Sequence, residues 1–182
     1  MIKPAIQLHD KTFELYIGYE TLQQRIRQMA TEIDSHYQGK EICFVAILNG
    51  VFMFAADLLK EVRTKSEIHF VKLSSYSGTE SSGKVNELIG LTANLEGRHV
   101  ILLEDIIDSG NTVYHFLPHL ISLKPASFKV ATLLFKPAAL HHQLQIDYTG
   151  IEIPNDFIVG YGMDYNELGR NLKDIYVLKN TV

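Results

Sequence analysis

The sequence has little cysteine, no surplus of positive charge and no long apolar run, and each absence excludes a class of protein. Cys43 is the only cysteine, which excludes an internal disulfide framework and favours a reducing compartment. The net charge of −4 argues against a dedicated nucleic-acid binder. No apolar stretch approaches the roughly 18 residues of a membrane span, and the N-terminus lacks the basic and apolar regions of a signal peptide. We therefore expect a cytoplasmic protein that does not enter membranes.

The composition that is present is that of a globular protein with a sizeable core. The chain has 182 residues, enough for one domain, and its strand-like and helix-like segments alternate. This alternation predicts an α/β fold with a mostly parallel central sheet flanked by helices. Short N- and C-terminal segments are predicted to form a small hood, and residues 1–182 to form a single domain. Cys43 lies in the apolar run Ile42–Leu48 and is more typical of a buried thiol than of a catalytic one.

Hydrophobic periodicity predicts the individual elements. Three- and four-residue spacing is clearest at Leu22, Ile26, Met29, Ala30 and Ile33, inside a predicted helix over 19–37. Further helices are predicted over 52–62 and 111–123. Strands are predicted over 13–17, 42–48, 68–73, 85–91, 98–103, 128–135, 157–160 and 175–178, with strand character near the end of 141–149.

The stretch 100–113 is the most informative in the chain. A buried strand is predicted to end at Glu104 and Asp105, and Asp108 follows three residues later in a small-residue turn that opens a helix. In parallel sheets, ligands bind beyond the carboxyl ends of the strands, and the first turn of a helix favours an anion. Adjacent carboxylates repel each other unless a cation or hydroxyl donor satisfies them. The pattern predicts a ligand with a diol, a divalent metal and a phosphate. The alternative is an ordinary helix capped by Asp108 or Ser109.

Residues 104–112 read Glu-Asp-Ile-Ile-Asp-Ser-Gly-Asn-Thr, and this segment resembles the phosphoribosyl-pyrophosphate signature of type I phosphoribosyltransferases, in particular their hypoxanthine-guanine branch. The resemblance implies that Glu104 and Asp105 hold the ribose hydroxyls directly or through magnesium, and it leaves their division of work open. It implies that Asp108 faces purine N7 as general acid/base. The 5′-phosphate would be cradled by the whole turn, which consists of Asp108, Ser109, Gly110, Asn111 and Thr112.

A second segment, 48–57, resembles the short pyrophosphate loop of the family. There, the backbone amides of a strained turn point at the pyrophosphate, and Asn49 and Gly50 tolerate unusual dihedral angles. Many relatives carry lysine where this chain has Asn49, so the backbone role is retained here and the side-chain charge is lost. Without the resemblance, Asn-Gly is an ordinary turn.

Base recognition is implied by two further matches. Lys136 follows a predicted strand, where a lysine is usually a solvated surface residue, but in the family a lysine at this place bonds the exocyclic oxygen of a 6-oxopurine. The block Asp-Phe-Ile-Val-Gly-Tyr-Gly-Met-Asp resembles the family's purine-binding segment. The resemblance implies base stacking by Phe157, reading of the base edge by the backbone of Ile158, magnesium binding by Asp164 and pyrophosphate binding by Arg170.

One motif is misleading. Residues 78–85 fit most of the nucleotide P-loop pattern, but Val85 stands where that pattern needs a hydroxyl, and no helix opening follows. A polar loop is the better interpretation. In the family, this loop closes over the active site, and two of its residues contact the ligand. Ser75 and Tyr76 match these two residues. Closure would exclude water from the reaction.

The resemblance runs from about Val45 to Tyr176, and it implies which reaction the protein catalyses. Ribose 5-phosphate would pass from phosphoribosyl pyrophosphate to N9 of hypoxanthine or guanine, giving IMP or GMP and pyrophosphate, with Mg²⁺ as cofactor. The implied partners are these small molecules and further copies of the chain, in a homodimer or homotetramer, without nucleic acid. Two alternatives stay open. One is a transferase for xanthine or another base, and the other is a regulator that binds nucleic acid, which a clustered basic face would favour.

Overall fold

The structure, a computed structural model, describes residues 4–74 and 86–179. In these ranges, helices α1 to α3 cover Tyr19–His36, Phe52–Glu61 and Asn111–Ser122. Strands β1 to β10 cover Ala5–Leu8, Lys11–Ile17, Ile42–Leu48, Ser66–Ser74, Asn86–Ile89, His99–Ile107, Ser127–Phe135, Tyr148–Glu152, Ile158–Val159 and Ile175–Leu178. None of these helices combines the length and the hydropathy of a membrane span.

The central sheet has the strand order β5-β4-β3-β6-β7-β8. Its last five strands run parallel, and β5 is antiparallel to β4. The predicted α/β fold with a mostly parallel sheet is therefore confirmed. Because the carboxyl ends of parallel strands lie at one edge of the sheet, residues that follow β3, β6 and β7 are brought to the same edge.

The middle strand β3 is apolar throughout because it has a core on each face. Phe44 and Ala46 pack in the cluster that contains the buried residues of α1 and α2, whereas Cys43 and Val45 pack in the cluster that contains those of α3. Alternate side chains of a strand point to opposite faces, so a strand covered on both sides is apolar at every position. Cys43 is fully buried, as predicted.

The helix α1 buries the predicted stripe. Its buried residues are Leu22, Gln23, Ile26, Met29, Ala30 and Ile33. Five of these six are the apolar positions at three- and four-residue spacing, and the sixth, Gln23, is polar. A buried amide needs hydrogen-bond partners, and those of Gln23 lie in the candidate site described below.

The N- and C-terminal segments form a second, antiparallel sheet of four strands in the order β1-β2-β10-β9. This confirms that the two ends of the chain build a separate small layer, as predicted for the hood. The strand β1 was not predicted, because four residues are too short for a period of two to be recognised. The two-residue strand β9 ends the order of this sheet, and it carries the predicted base-binding segment.

Candidate active site

The strand β6 continues beyond its predicted end. It pairs with β7 as far as Ile107 opposite Phe135, so Glu104 and Asp105 lie inside the strand and not at its tip. The sequence prediction placed the strand end at the acids because charge usually marks the end of a buried strand. Neighbouring side chains of a strand point to opposite faces. Accordingly, Glu104 lines the cavity beside α3, and Asp105 contacts Gly50 in front of α2.

Burial leaves the two acids with too little compensation, although Asp105 accepts hydrogen bonds from its own backbone N–H and from that of Ile106. Glu104 is 9% exposed, and its Oε2 atom is buried with no hydrogen-bond partner among the described residues. Burial, and secondly the charge of Asp105, raise the pKa of Glu104 well above its usual range. Burial also raises the pKa of Asp105 to about 6. The site therefore suits a cation or a ligand that donates hydrogen bonds, since either would compensate the ionised carboxylates.

The turn between β6 and α3 has the form of an anion site. Gly110 is the N-cap residue of α3 with φ 78°, and no side chain caps this helix end. The alternative of an ordinary cap by Asp108 or Ser109 is therefore wrong, although the Asn111 N–H points at Ser109 Oγ at 3.4 Å. A cavity opens directly at the turn. It is lined by Glu104, Ile106, Ile107, Asp108, Ser109, Gly110, Asn111, Thr112 and Val113.

Lys136 joins the turn to the end of β7. It is only 5% exposed, so the alternative of a solvated surface lysine is wrong. Its Nζ atom lies 2.9 Å from Oδ2 of the half-exposed Asp108, and its backbone N–H donates to the Ile107 carbonyl at 2.9 Å. A buried ammonium is held in place by such a partner. The structure thus brings together the residues predicted for base recognition and for proton transfer.

The predicted base-binding segment leaves the central sheet beside Lys136. The Ile153 N–H donates to the Phe135 carbonyl at 2.8 Å, and the chain then runs to Phe157, whose side chain is 46% exposed. The rings of Phe13 and Tyr165 support that of Phe157 at centroid distances of 6.2 and 5.9 Å. An aromatic ring that is supported from behind and open in front can accept a second ring.

The backbone of Ile158 is turned to the outside of its sheet. The Leu178 N–H donates to the Phe157 carbonyl at 2.8 Å, and Ile158 stands opposite Val177. Antiparallel pairs alternate between those that exchange hydrogen bonds and those that do not. The Ile158 N–H and carbonyl groups consequently point away from β10, towards the edge of the sheet, where they can meet a ligand.

The loop after β3 packs against both the acids and the base-binding segment. The Leu48–Asn49 peptide bond is cis, and Asn49 is exposed. A Cβ atom on Gly50 would overlap the Asp105 carboxylate, and a Cβ atom on Gly162 would overlap the Gly50 carbonyl. Glycine at both positions therefore allows three segments that are distant in sequence to meet.

Asp164 and Arg170 form an ion pair near this contact. Arg170 Nη2 lies 2.7 Å from Asp164 Oδ1, and Arg170 Nη1 donates to the Gly162 carbonyl at 2.9 Å. The charge of Arg170 lowers the pKa of Asp105 and that of Asp164 raises it, although burial has the largest effect. The residues predicted for magnesium and for pyrophosphate thus act electrostatically on one of the acids of β6.

A buried hydrogen-bond network under the site was missed by the sequence analysis. Tyr161 Oη donates to Asp57 Oδ2 at 2.6 Å, and Gln23 Nε2 lies 2.6 Å from the same carboxylate and 3.0 Å from Tyr161 Oη. Tyr161 is fully buried and has φ 49°, between two glycines of the base-binding segment. The network ties this segment to α1 and α2. The one available signal was Gln23, a polar residue on the buried face of α1. It does not reveal which distant residues are its partners.

Not every predicted site residue falls in the described ranges. Ser75 and Tyr76, the pair predicted to contact the ligand from the loop after β4, lie outside the described residues. The other predicted residues gather at the carboxyl edge of the central sheet and at the neighbouring edge of the small sheet. They come from the segments after β3, within and after β6, after β7 and around β9.

Comparisons with known proteins agree with this arrangement. Residues 18–166 match the model of the phosphoribosyl transferase domain. The bifunctional protein TilS/HprT of Listeria monocytogenes is 42% identical over 173 residues, 94% of this chain, but the chain spans only 27% of that relative's length. The hypoxanthine-guanine-xanthine phosphoribosyltransferase of Tritrichomonas foetus is 41% identical, with 90% of each chain covered. The crystal structure of a hypoxanthine-guanine phosphoribosyltransferase from Bacillus anthracis is 40% identical with a TM-score of 0.87, covering 91% of this chain and 98% of the other.

Proposed function

Because this chain belongs to the phosphoribosyl transferase family, in its hypoxanthine-guanine branch, we propose that it transfers ribose 5-phosphate from phosphoribosyl pyrophosphate to N9 of hypoxanthine or guanine. The products are IMP or GMP and pyrophosphate. The observation that carries the proposal is the ion pair between buried Lys136 and Asp108, at 2.9 Å, on the edge of the anion-binding turn. It supports the proposal because base reading needs a fixed cation and proton transfer needs a carboxylate, and Lys136 and Asp108 lie together beside the cavity at the turn.

Lys136, Phe157 and Ile158 select the base. An ammonium group has three donors, so the bond from Lys136 to Asp108 leaves donors for the 6-oxo group of hypoxanthine or guanine. Adenine carries a 6-amino group, which donates where the lysine also donates, and it is disfavoured. The ring of Phe157 stacks on the purine, and the outward backbone groups of Ile158 bond its edge.

Asp108 moves the proton at the base. Its carboxylate is half-exposed beside the turn and faces purine N7 in the proposed complex. When N9 attacks the ribose, the electron density of the purine falls, and a carboxylate that accepts the N7 proton assists this step. The ion pair with Lys136 fixes the position of the carboxylate before the substrate arrives.

The sugar phosphate and the pyrophosphate are bound on either side of Asp108. Ser109, Gly110, Asn111 and Thr112 cradle the 5′-phosphate with the N–H groups of the first turn of α3 and two hydroxyls. On the other side, Asn49 and Gly50 offer backbone groups to the pyrophosphate, and Arg170 offers a guanidinium. Ser75 and Tyr76 are proposed to contact the ligand when the loop closes.

The carboxylates of the site fit magnesium. Glu104, Asp105 and Asp164 supply the oxygen ligands that this ion prefers, and the raised pKa values of Glu104 and Asp105 mark a place where positive charge is missing. When bound, magnesium neutralises the leaving pyrophosphate. The two strand acids divide the work by face: Glu104 serves the phosphate side, and Asp105 serves the pyrophosphate side.

The test is an activity assay with phosphoribosyl pyrophosphate, magnesium and four bases, namely hypoxanthine, guanine, xanthine and adenine. We expect turnover with hypoxanthine and guanine and very little with adenine. The substitution Lys136→Ala should reduce the preference for 6-oxopurines over adenine, and an unchanged preference would remove Lys136 from base recognition. Turnover that persists in excess chelator would contradict the magnesium assignment. Sedimentation of the active enzyme tests the proposed homodimer or homotetramer.

A further inference from the structure

The phosphate-binding turn is held from outside by the segment that follows Lys136. A Cβ atom on Gly110 would overlap the side chains of Leu140 and Leu144, so these two leucines pack directly on the turn. The His141 N–H donates to the Ser109 carbonyl at 3.0 Å. Residues 140–144 therefore touch the turn through apolar packing and through a backbone hydrogen bond.

A third contact reaches a side chain of the turn. His142 Nε2 lies 2.6 Å from Oδ1 of Asn111, the first residue of α3. An amide oxygen only accepts hydrogen bonds, so Nε2 carries the proton in this contact. The imidazole ring stacks on Tyr114, with the ring centroids 4.0 Å apart and the planes inclined by 8°. Two independent contacts thus fix one partly buried histidine ring against the start of α3.

We propose that His142 is a positioning residue for the sugar-phosphate site, held by its stack on Tyr114 and acting through Asn111. Its bond to Oδ1 fixes the Asn111 amide so that the –NH₂ donors are left for the 5′-phosphate. The inference rests on the proposed function, because it assumes that the turn binds this phosphate. Residues 140–144 follow Lys136 after one short helical turn, so the chain connects the contacts on the phosphate turn directly to the residue proposed to recognise the base.

The arrangement has a specific consequence for kinetics. An amide that rotates freely loses part of its hydrogen bond to the phosphate but leaves the base pocket untouched. One net hydrogen bond corresponds to about a fivefold change in affinity. The effect should therefore fall on the ligands that carry the 5′-phosphate, and not on the free base.

The experiment uses paired substitutions at His142. His142→Phe keeps a ring on Tyr114 but removes the donor, whereas His142→Gln supplies an amide donor at nearly the place of Nε2. We expect His142→Phe to raise the KM for phosphoribosyl pyrophosphate and the Kd for GMP about fivefold, with the KM for guanine and the melting temperature unchanged. His142→Gln should restore both constants to within about twofold of the parent. His115→Phe is the matched control, because the exposed ring of His115 meets both Tyr114 and His142 edge to face and phenylalanine keeps a ring in these contacts, so this change should leave the constants unaltered.

Several outcomes overturn the inference. They are unchanged constants in His142→Phe, equal rises in the KM values for both substrates, or failure of His142→Gln to rescue. If His142→Phe does not fold, His142→Leu, which also lacks the donor, takes its place with the same expected rises, and unchanged constants there contradict a role of the donor. Thr112→Val separates this inference from the proposed function. If Thr112→Val raises the KM for phosphoribosyl pyrophosphate and His142→Phe does not, only the role of His142 fails. If Thr112→Val has no effect, the phosphate assignment fails and takes the role of His142 with it.

Discussion

Acidic side chains stand at both ends of the central sheet, and the protein treats them in opposite ways. At the amino end, Glu67 of β4 is bonded by the Arg98 guanidinium, by His69 Nε2 at 3.0 Å and by the Cys43 thiol. These bonds lower the pKa of Glu67 to about 2, with the Arg98 bond contributing most. The ligand atoms of Cys43, Glu67 and His69 lie within 4.8 Å of one another, but Arg98 already supplies the positive charge that a metal ion would bring.

At the carboxyl end, neither acid is bonded by a guanidinium, and Asp105 is compensated only by backbone hydrogen bonds and by the more distant charge of Arg170. Glu104 Oε2 is buried without a hydrogen bond among the described residues, and the pKa of Asp105 is raised to about 6. Unsatisfied polar groups cost stability and persist where a function needs them. Folding alone thus compensates the acid at the amino end of the sheet, whereas the carboxyl end keeps acids that a bound cation or hydrogen-bond donor would compensate.

The largest expected effect concerns Asp108, for which we propose a chemical role at the carboxyl end. Asp108→Asn keeps the size and an oxygen that can accept from Lys136, but removes the base that takes the proton. We expect kcat to fall by about 10²- to 10⁴-fold, with the Kd for GMP changed far less. Single-turnover kinetics and calorimetry measure the two quantities on one preparation. A kcat close to that of the parent would end the general acid/base role.

A second prediction tests whether the carboxyl end sacrifices stability for function. Asp105→Asn removes a poorly compensated buried charge, so it should raise the free energy of unfolding at pH 7 by about 3 kcal/mol while activity falls. Asparagine is nearly isosteric with aspartate, so the contact with Gly50 is kept. Denaturant unfolding and steady-state kinetics on the same variant measure both changes. Lower stability in Asp105→Asn would mean that the charge of Asp105 is compensated after all.

The same comparison predicts a pH dependence with a defined sign. The carboxyl of Asp105 has an ordinary pKa of 3.8 in the unfolded chain and a pKa of about 6 in the folded protein. Between these two pH values, the folded state therefore binds more protons than the unfolded state. The contribution of Asp105 to the free energy of unfolding is consequently greatest below pH 3.8 and is lost as the pH rises to about 6. The unfolding free energy of Asp105→Asn should lack this decrease. A parallel pH profile for parent and variant would show that Asp105 does not titrate in this window.

The sequence predicted most of the elements and which residues gather at the carboxyl edge of the central sheet, because both depend on local patterns. The spacing in α1, the apolar run of β3 and the small-residue turn before α3 are all local. The predicted end of β6 was wrong because a buried strand can contain acidic residues where a ligand site requires them. The sequence could predict that Lys136 and Asp108 lie near each other at one edge of the sheet, but not that they form an ion pair. The bonds among Gln23, Asp57 and Tyr161 join three elements and leave no pattern in any one of them.

The smallest expected effect is at the amino end, where the acid serves stability alone. Glu67→Gln keeps an oxygen for Arg98 but removes the charge, and the Glu67 side chain is 42% exposed, so solvent screens the loss. We expect the free energy of unfolding at pH 7 to fall by about 1 kcal/mol, with kcat and both KM values unchanged. Glu41→Gln is the matched control, because Glu41 lies near the same end but is 67% exposed and 3.8 Å from Lys65, and it should have no measurable effect.

The pH dependence at Glu67 should have the opposite sign to that at Asp105. Its pKa is about 2 in the folded protein against an ordinary 4.5, so its contribution is present above pH 4.5 and is lost as the pH falls towards 2. On acidification, the parent should lose stability relative to Glu67→Gln, because the contribution of Glu67 disappears. Over the same change of pH, the parent should gain stability relative to Asp105→Asn, because the buried charge of Asp105 is neutralised. Urea unfolding of the three proteins at pH 3 and pH 7 measures both. If Glu67→Gln lowers kcat at pH 7, the amino end is coupled to the site, and the separation of the two ends by role fails.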